Sequence, residues 1–109
     1  MGITVLGDVL GDWSKHELDD SIYLPAGVNV ALDLPVSIVP FDPVFEPGRI
    51  FNGQEYLLGI EQIRDVVEGL QDQLGRPPTL EERLRAVIHY ARYDAFIDPK
   101  DAVGGQELV

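Results

Sequence analysis

The fold is decided by residues 60–94, IEQIRDVVEGLQDQLGRPPTLEERLRAVIHYARYD. In the first part of this stretch the apolar residues recur every three or four positions, which is typical of an amphipathic helix: Ile60, Ile63, Val66, Val67, Leu70 and Leu74. Gly75 and the pair Pro77-Pro78 then end the pattern, because glycine favours a helix C-terminus and proline cannot continue a helix. The spacing therefore predicts one helix over residues 60–74.

A second helix is predicted directly after the first. Thr79 and Glu82 have the spacing of a capping box, in which each side chain satisfies a backbone N–H at the start of a helix. An apolar stripe follows and runs on towards Ala95 and Phe96: Leu80, Leu84, Val87, Ile88 and Ala91. The connection of residues 75–78 is short, which favours an antiparallel helical hairpin.

The N-terminal half contains apolar runs and alternations that predict short strands. Residues 22–24 precede a turn at Pro25 and Gly27, and residues 54–58 precede the first long helix. Residues 28–32 and 36–39 alternate between apolar and other residues, which is the period of a half-buried strand. Prolines 40, 43 and 47 predict that the next stretch is an edge strand or an ordered loop. We expect three of its side chains to pack against the core: Phe41, Val44 and Phe45.

Together these patterns predict an α+β fold. A small antiparallel sheet in the N-terminal half packs against a C-terminal antiparallel helical hairpin. A short helix beginning near Thr4 is also predicted, although Gly7 and Gly11 weaken it. We expect residues 1–98 to form a single domain and residues 99–109, which include Gly104-Gly105, to be a flexible tail.

The composition restricts the possible functions. The 109 residues include 19 Asp and Glu against 8 Lys and Arg, a net charge of −11. Nucleic-acid binding needs clustered cations, so we expect no nucleic-acid partner. Such acidity fits either solubility through self-repulsion or the binding of a basic partner. The chain has no cysteine, no basic signal-peptide start and no apolar run that would span a bilayer, so we expect a cytoplasmic protein without a membrane partner.

Four acidic residues form the first candidate site. At about 100° per residue they fall on one narrow stripe beside the apolar face of the first long helix: Glu61, Asp65, Glu68 and Asp72. Like charges at this spacing destabilise a helix by roughly 0.2–0.5 kcal/mol per pair. One interpretation is therefore a docking surface for a basic partner; the other is a solvated face partly neutralised by Arg64.

A second stripe lies on the next helix, where it faces away from the apolar side: Glu82, Arg85, His89 and Tyr93. Histidine is the side chain that ordinarily changes charge near neutral pH, so this set could bind an anionic or polar ligand. Exposed polar residues on an amphipathic helix give the same pattern.

No catalytic or metal motif of known spacing is present. The cluster His16, Glu17, Asp19 and Asp20 lacks the spacing of a calcium loop, and two histidines without cysteine are too few for an ordinary zinc site. There is also no phosphate-binding loop, dinucleotide fingerprint or nucleophile elbow. We expect no catalytic residue, no metal and no cofactor.

Several short motifs resemble a family of small acidic bacterial proteins without an assigned activity. They are residues 22–26 (IYLPA), 46–47 (EP), 63–67 (IRDVV), Tyr90 and 94–97 (DAFI). The resemblance spans most of residues 20–98 and transfers no functional residue.

Three functions remain open at this stage. The first is a non-enzymatic binding protein that docks or neutralises a basic protein, in the manner of bacterial toxin-immunity proteins. The second is a self-associating structural domain, such as a homodimer. The third is a small ligand-binding protein or enzyme that uses a pocket between the sheet and the helices and involves His16 or His89.

Overall fold

The computed structural model describes residues 4–41, 44, 50–51 and 53–103. Four α-helices are present in this part of the chain: α1 (Leu6–Gly11), α2 (Ile60–Leu74), α3 (Leu80–Tyr93) and α4 (Pro99–Val103). A 3₁₀ turn, Trp13–Lys15, follows α1. The strands are β1 (Ser21–Pro25), β2 (Ser37–Val39), β3 (Ile50–Phe51) and β4 (Gln54–Gly59).

The described strands form one antiparallel sheet in the order β2-β1-β4-β3. Strand β1 lies between β2 and β4: Ile22 is opposite Ile38 of β2 and Leu58 of β4. Consecutive residues of β1 are buried, Ile22 completely and Tyr23 and Leu24 almost so, which means that both faces of this strand are covered. The predicted α+β class, with a sheet packed against a helical hairpin, is confirmed, as are the predicted strands at residues 22–24, 36–39 and 54–58.

The predicted strand at residues 28–32 is wrong. This segment is instead a loop without regular structure. Its C-terminal end is hydrogen-bonded to the start of α1: Leu6 N–H donates to the Leu34 carbonyl at 2.9 Å and Gly7 N–H donates to the Leu32 carbonyl at 2.8 Å. The first N–H groups of any helix lack partners inside the helix, and here carbonyl groups of the loop accept their hydrogen bonds. A Cβ at position 7 would lie 3.1 Å from the Leu32 carbonyl oxygen, so the close approach favours glycine at Gly7.

The helical hairpin begins and ends where the capping signals predict. Gly75 ends α2 in the left-handed conformation with φ of 72°. Thr79 begins α3: its hydroxyl accepts the Glu82 N–H at 3.2 Å, and the Glu82 carboxylate accepts the Thr79 N–H at 2.8 Å. Helix α3 ends at Tyr93 because Asp94 adopts a left-handed φ of 55°, so the predicted continuation to Ala95 and Phe96 is wrong.

Two arginines of α3 hold the two shortest helices. Arg83 Nη1 donates to the Leu10 carbonyl at 2.6 Å, at the end of α1, and Arg85 Nη1 donates to the Ala102 carbonyl at 2.8 Å, in α4. The last carbonyls of a helix have no partners inside the helix and carry its partial negative charge, so a guanidinium is a favourable partner for them.

Two predictions about the edges of the domain need correction. The flexible tail was expected from residue 99, yet Pro99–Val103 form α4 and Ala102 is completely buried in the core. Residues 104–109 lie outside the described residues. Phe41 and Val44 were expected to pin their loop to the core, but they are 60% and 93% exposed. The third predicted anchor, Phe45, lies outside the described residues.

Candidate functional site

The four predicted acidic residues, which we call the acidic ridge, are all exposed on α2: Glu61, Asp65, Glu68 and Asp72. The opposite side of the helix carries the buried residues Ile63, Val67 and Leu70. The ridge therefore faces away from the core, whereas the sequence pattern placed it beside the apolar face. The structure brings the four carboxylates together along three turns of one helix.

Arg64 neutralises only the first half of the ridge. Its Nη2 lies 3.5 Å from the Glu61 carboxylate and 3.0 Å from the Asp65 carboxylate, and its Nε also donates to Asp65 at 3.1 Å. In the described part of the chain, neither Glu68 nor Asp72 has a basic side chain within ion-pair distance. The C-terminal half of the ridge is thus the more negative half.

Most of the other described arginines of the hairpin make contacts away from the ridge. Arg76 forms a two-pronged ion pair with Glu82, with N–O distances of 2.8 and 2.7 Å. Arg83 and Arg85 donate to backbone carbonyls, as described above, and so neutralise no carboxylate. None of these contacts places a guanidinium on a ridge carboxylate.

The second predicted stripe has structural contacts at each position. Glu82 is only 5% exposed, so it does not face away from the apolar side as the pattern suggested. Arg85 binds α4, and His89 Nδ1 lies 2.9 Å from the Ala95 carbonyl oxygen. The His89 ring also packs against that of Tyr93, with 4.8 Å between ring centroids. A ligand role for this stripe stays a prediction, and the structure assigns these residues to capping and to holding the chain after α3.

Glu82 has the most strongly shifted pKa of this group. The Arg76 guanidinium beside it, followed by the Thr79 N–H, lowers the pKa of the Glu82 carboxyl from 4.5 to about 2. The same ion pair raises the pKa of Arg76. Glu82 is therefore charged across the physiological range and stabilises the start of α3.

A cleft of about 580 Å³ lies between the sheet and α3, where the sequence analysis placed a possible ligand pocket. Its polar lining includes Tyr56, Gln62 and Arg92, and the Tyr56 hydroxyl donates to Gln62 Oε1 at 3.0 Å. Burial raises the pKa of Tyr56. Neither His16 nor His89 lines this cleft. The remaining lining is mostly apolar: Leu24, Pro25, Val28, Val30, Leu57, Leu58, Ile88 and Ala91, with Glu55, Tyr90 and Asp94.

Tyr56, Gln62 and Arg92 are not among the candidate residues predicted from the sequence. One signal was available for Gln62, which follows Gly59 by three residues at the start of an apolar run, as the second member of a capping box does. Gln62 Oε1 indeed accepts the Gly59 N–H at 2.9 Å as well as the Tyr56 hydroxyl. Tyr56 and Arg92 carry no such local signal.

A smaller pocket of about 130 Å³ lies between α2, α3 and the chain that follows α3. Gly69 of α2 forms part of its lining, and Phe96, which is 56% exposed, forms another part. The Phe96 ring also packs on Tyr90, with 5.3 Å between centroids. Its other lining residues are Val66, Leu70, Gln73, Ala86 and Ile97. Around the end of α3, Tyr90 and Ile97 pack against the core, whereas Tyr93 and Phe96 are largely exposed.

The acidic loop after α1 has a structural role. The Asp20 carboxylate is buried and accepts the Glu17 N–H at 3.1 Å, closing the turn before β1. Within residues 4–41, 44, 50–51 and 53–103, no three His, Cys, Asp or Glu side chains come together as metal ligands would. No helix in the same part of the chain is long and apolar enough to cross a bilayer.

The chain belongs to the family described as a domain of unknown function, DUF7716, whose sequence profile matches residues 3–99. The expected membership of an uncharacterised family is thereby confirmed. No curated protein and no solved structure matches the chain. The family description assigns neither an activity nor a partner.

Proposed function

We propose that the protein is a non-enzymatic binding protein that docks a basic protein partner through the acidic ridge. The observation that supports this proposal is the exposure of all four ridge carboxylates together with the incomplete neutralisation of Glu68 and Asp72. A basic partner would remove the repulsion between these like charges, which the free helix tolerates at some cost. Long-range attraction would also speed the encounter with such a partner.

The setting that fits this proposal is the bacterial cytoplasm, and the fitting role is that of a toxin-immunity protein. An immunity protein needs a stable scaffold with a charged face rather than catalytic groups. Here the scaffold is the sheet and hairpin, and the charged face is the outer side of α2.

The proposal is tested with two double variants of equal charge. Glu68→Lys with Asp72→Lys reverses the less neutralised half of the ridge, while Asp19→Lys with Asp33→Lys reverses two exposed acids in loops outside the ridge. Both variants change the net charge equally, so solubility and non-specific attraction change equally. Wild type and both variants are used as baits for affinity capture from the native host's lysate, at low and at moderate salt.

We expect a basic protein to be retained by wild type and by the loop variant but not by the ridge variant. Its retention should fall with salt, since charges in solvent are screened over about 8 Å at physiological ionic strength. Equal retention by the two double variants would show that only net charge matters. Recovery of the bait alone, with sedimentation as a dimer, would favour the self-associating domain instead.

The 580 Å³ cleft supports a second candidate function, the binding of a small molecule. Its volume lies within the range of about 300–1,000 Å³ that ligand pockets occupy, and a mostly apolar wall with a few polar groups is their usual lining. Ala91→Phe would narrow the cleft from its exposed wall on α3. A metabolite that raises the melting temperature of wild type but not of this variant would support the second function. A screen in which no compound separates the two proteins would count against it.

A further inference from the structure

We infer that the 130 Å³ pocket beside the acidic ridge is an anchor site for one apolar side chain of the basic partner, an inference that rests on the proposed function. The pocket is bounded by α2, by α3 and by residues 96–97, and its lining includes the exposed Phe96 and, at the side that we call its mouth, the partly exposed Gly69. An engineered cavity of about 150 Å³ holds one benzene molecule. The pocket is therefore the right size for a single leucine-sized or phenyl side chain.

Gly69 is the residue that points to an external occupant. It lies in the interior of α2, where glycine is less stable than alanine because it loses more backbone freedom. Its φ is not positive, and a Cβ placed on it would meet no atom within 4 Å. Neither the backbone nor the packing of this protein requires glycine there. The missing side chain leaves the mouth of the pocket open.

Charge decides what kind of partner reaches this pocket. Gly69 follows Asp65 by four residues and precedes Asp72 by three, so both carboxylates adjoin it on the helix surface. A segment that inserts an apolar side chain would place its flanking residues against these acids, which favours Lys and Arg. A second copy of this chain, with its net charge of −11, would meet repulsion at the same surface.

In protein interfaces, a few buried anchor side chains usually supply most of the binding energy, and a polar or charged rim surrounds them. The exposed Phe96 ring, which contacts Tyr90 on one side, supplies an apolar wall that is not fully used by the fold. Gln73 supplies a polar group at the rim. The occupant is thus a lysine- or arginine-rich segment that carries one apolar anchor.

The inference is tested with fluorescent peptides of the same length as α2, 15 residues. One peptide is lysine-rich with a single central leucine, the second has serine in place of that leucine, and the third keeps the leucine but has no basic residue. Affinities are measured by fluorescence anisotropy for wild type, Gly69→Leu, Gly69→Ala and the ridge variant. Gly69→Leu fills the mouth of the pocket with a good helix former, and Gly69→Ala improves the helix with a much smaller side chain.

For wild type we expect the leucine peptide to bind about tenfold more tightly than the serine peptide, the gain from burying most of one leucine side chain. Gly69→Leu should abolish this ratio without weakening the serine peptide, and Gly69→Ala should retain most of it. The amide signal of Gly69 in a heteronuclear NMR spectrum should shift further with the leucine peptide than with the serine peptide. Melting of Gly69→Leu no earlier than wild type would show that the variant is folded.

The outcomes separate the two proposals. If both basic peptides bind equally to wild type and the ridge variant weakens both, the pocket inference fails while the proposed function stands. If neither basic peptide binds better than the peptide without basic residues, the proposed function fails and the pocket inference fails with it. A leucine preference that persists in Gly69→Leu would place the anchor elsewhere. A wild-type dimer dispersed by Gly69→Leu would identify the occupant as a second copy.

Discussion

The ion pair at the start of α3 leads to a prediction about acid stability. Replacing Glu82 by glutamine keeps an oxygen that can accept the Thr79 N–H but removes the charge that faces Arg76. Folding lowers the pKa of Glu82 from 4.5 to about 2. If the whole shift contributed to stability, it would add about 3 kcal/mol to the free energy of unfolding at neutral pH. The Arg76 side chain is 46% exposed, so solvent screening reduces the expected effect to about 1.5 kcal/mol.

The direction of the pH dependence follows from the lowered pKa. The stabilisation is complete above the unfolded-state value of about 4.5, declines as the pH falls, and is lost as the pH passes through about 2. The difference in unfolding free energy between wild type and Glu82→Gln should therefore be about 1.5 kcal/mol near pH 7 and should vanish near pH 2. Other carboxylates contribute equally to both proteins and cancel in this difference.

The assay is urea unfolding followed by circular dichroism at several pH values. Glu81→Gln is the matched control, since Glu81 lies in the same first turn of α3 but is exposed and does not contact Arg76. That variant should lose only a few tenths of a kcal/mol, the contribution of a charge near a helix N-terminus. A difference for Glu82→Gln that is as large at pH 2 as at pH 7 would refute the reasoning, because it would show that shape rather than charge matters.

Three further predictions concern the same scaffold. Gly75→Ala should lower the unfolding free energy by about 1 kcal/mol because of its left-handed φ of 72°, whereas Gly69→Ala should raise it by about 0.5–1 kcal/mol; urea unfolding measures both. Arg83→Met should cost about 1–2 kcal/mol because the last carbonyls of α1 lose their donor, and Arg92→Met, an exposed control, should cost almost nothing. Folding raises the pKa of Tyr56, so the contribution of the neutral hydroxyl to stability is complete below pH 10 and is lost as the pH rises above it. Phenylalanine does not ionise, so Tyr56→Phe should begin to unfold at a higher alkaline pH than wild type. Ultraviolet absorbance at high pH follows this transition.

The helical hairpin could be predicted from sequence because its signals are local. The apolar spacing of residues 60–74, the left-handed glycine at position 75 and the capping box of Thr79 and Glu82 all act within a few residues of one another. Such signals do not depend on the rest of the chain. The end of α3 was misplaced because Asp94 tolerates a left-handed conformation that its sequence context did not reveal.

The wrong prediction of a strand at residues 28–32 shows what local sequence signals cannot predict. Its alternation is real, but the carbonyls of residues 32 and 34 accept the first N–H groups of α1 instead of pairing with a strand. Which donor reaches a carbonyl depends on how distant segments pack, and the alternation contains no information on that. The same limit applies to Glu82. The helical pattern predicted that it belongs to an exposed stripe, but in the structure it forms an ion pair with Arg76, six residues earlier.

For the candidate site, the sequence located the acidic ridge but not the pocket next to it. The ridge is a periodic pattern on one helix and is therefore visible in one dimension. The pocket needs Gly69 from α2, Ala86 from α3 and Phe96 from the following chain, which are brought together only by the hairpin. The glycine in the middle of α2 was the one visible anomaly, and only its empty surroundings in the structure give it a meaning.

The way α1 is held has a consequence for synthesis and folding. This six-residue helix is too short to be stable alone, and Arg83, which binds its last carbonyls, lies 73 residues after Leu10 in the chain. Because α1 is synthesised before α3, we expect α1 to form only once α3 is present and Leu6, Val9 and Leu10 to stay largely uncovered until then. In the finished protein, the amide hydrogens of α1 should exchange no more slowly than those of α3, because any opening of α3 also releases α1.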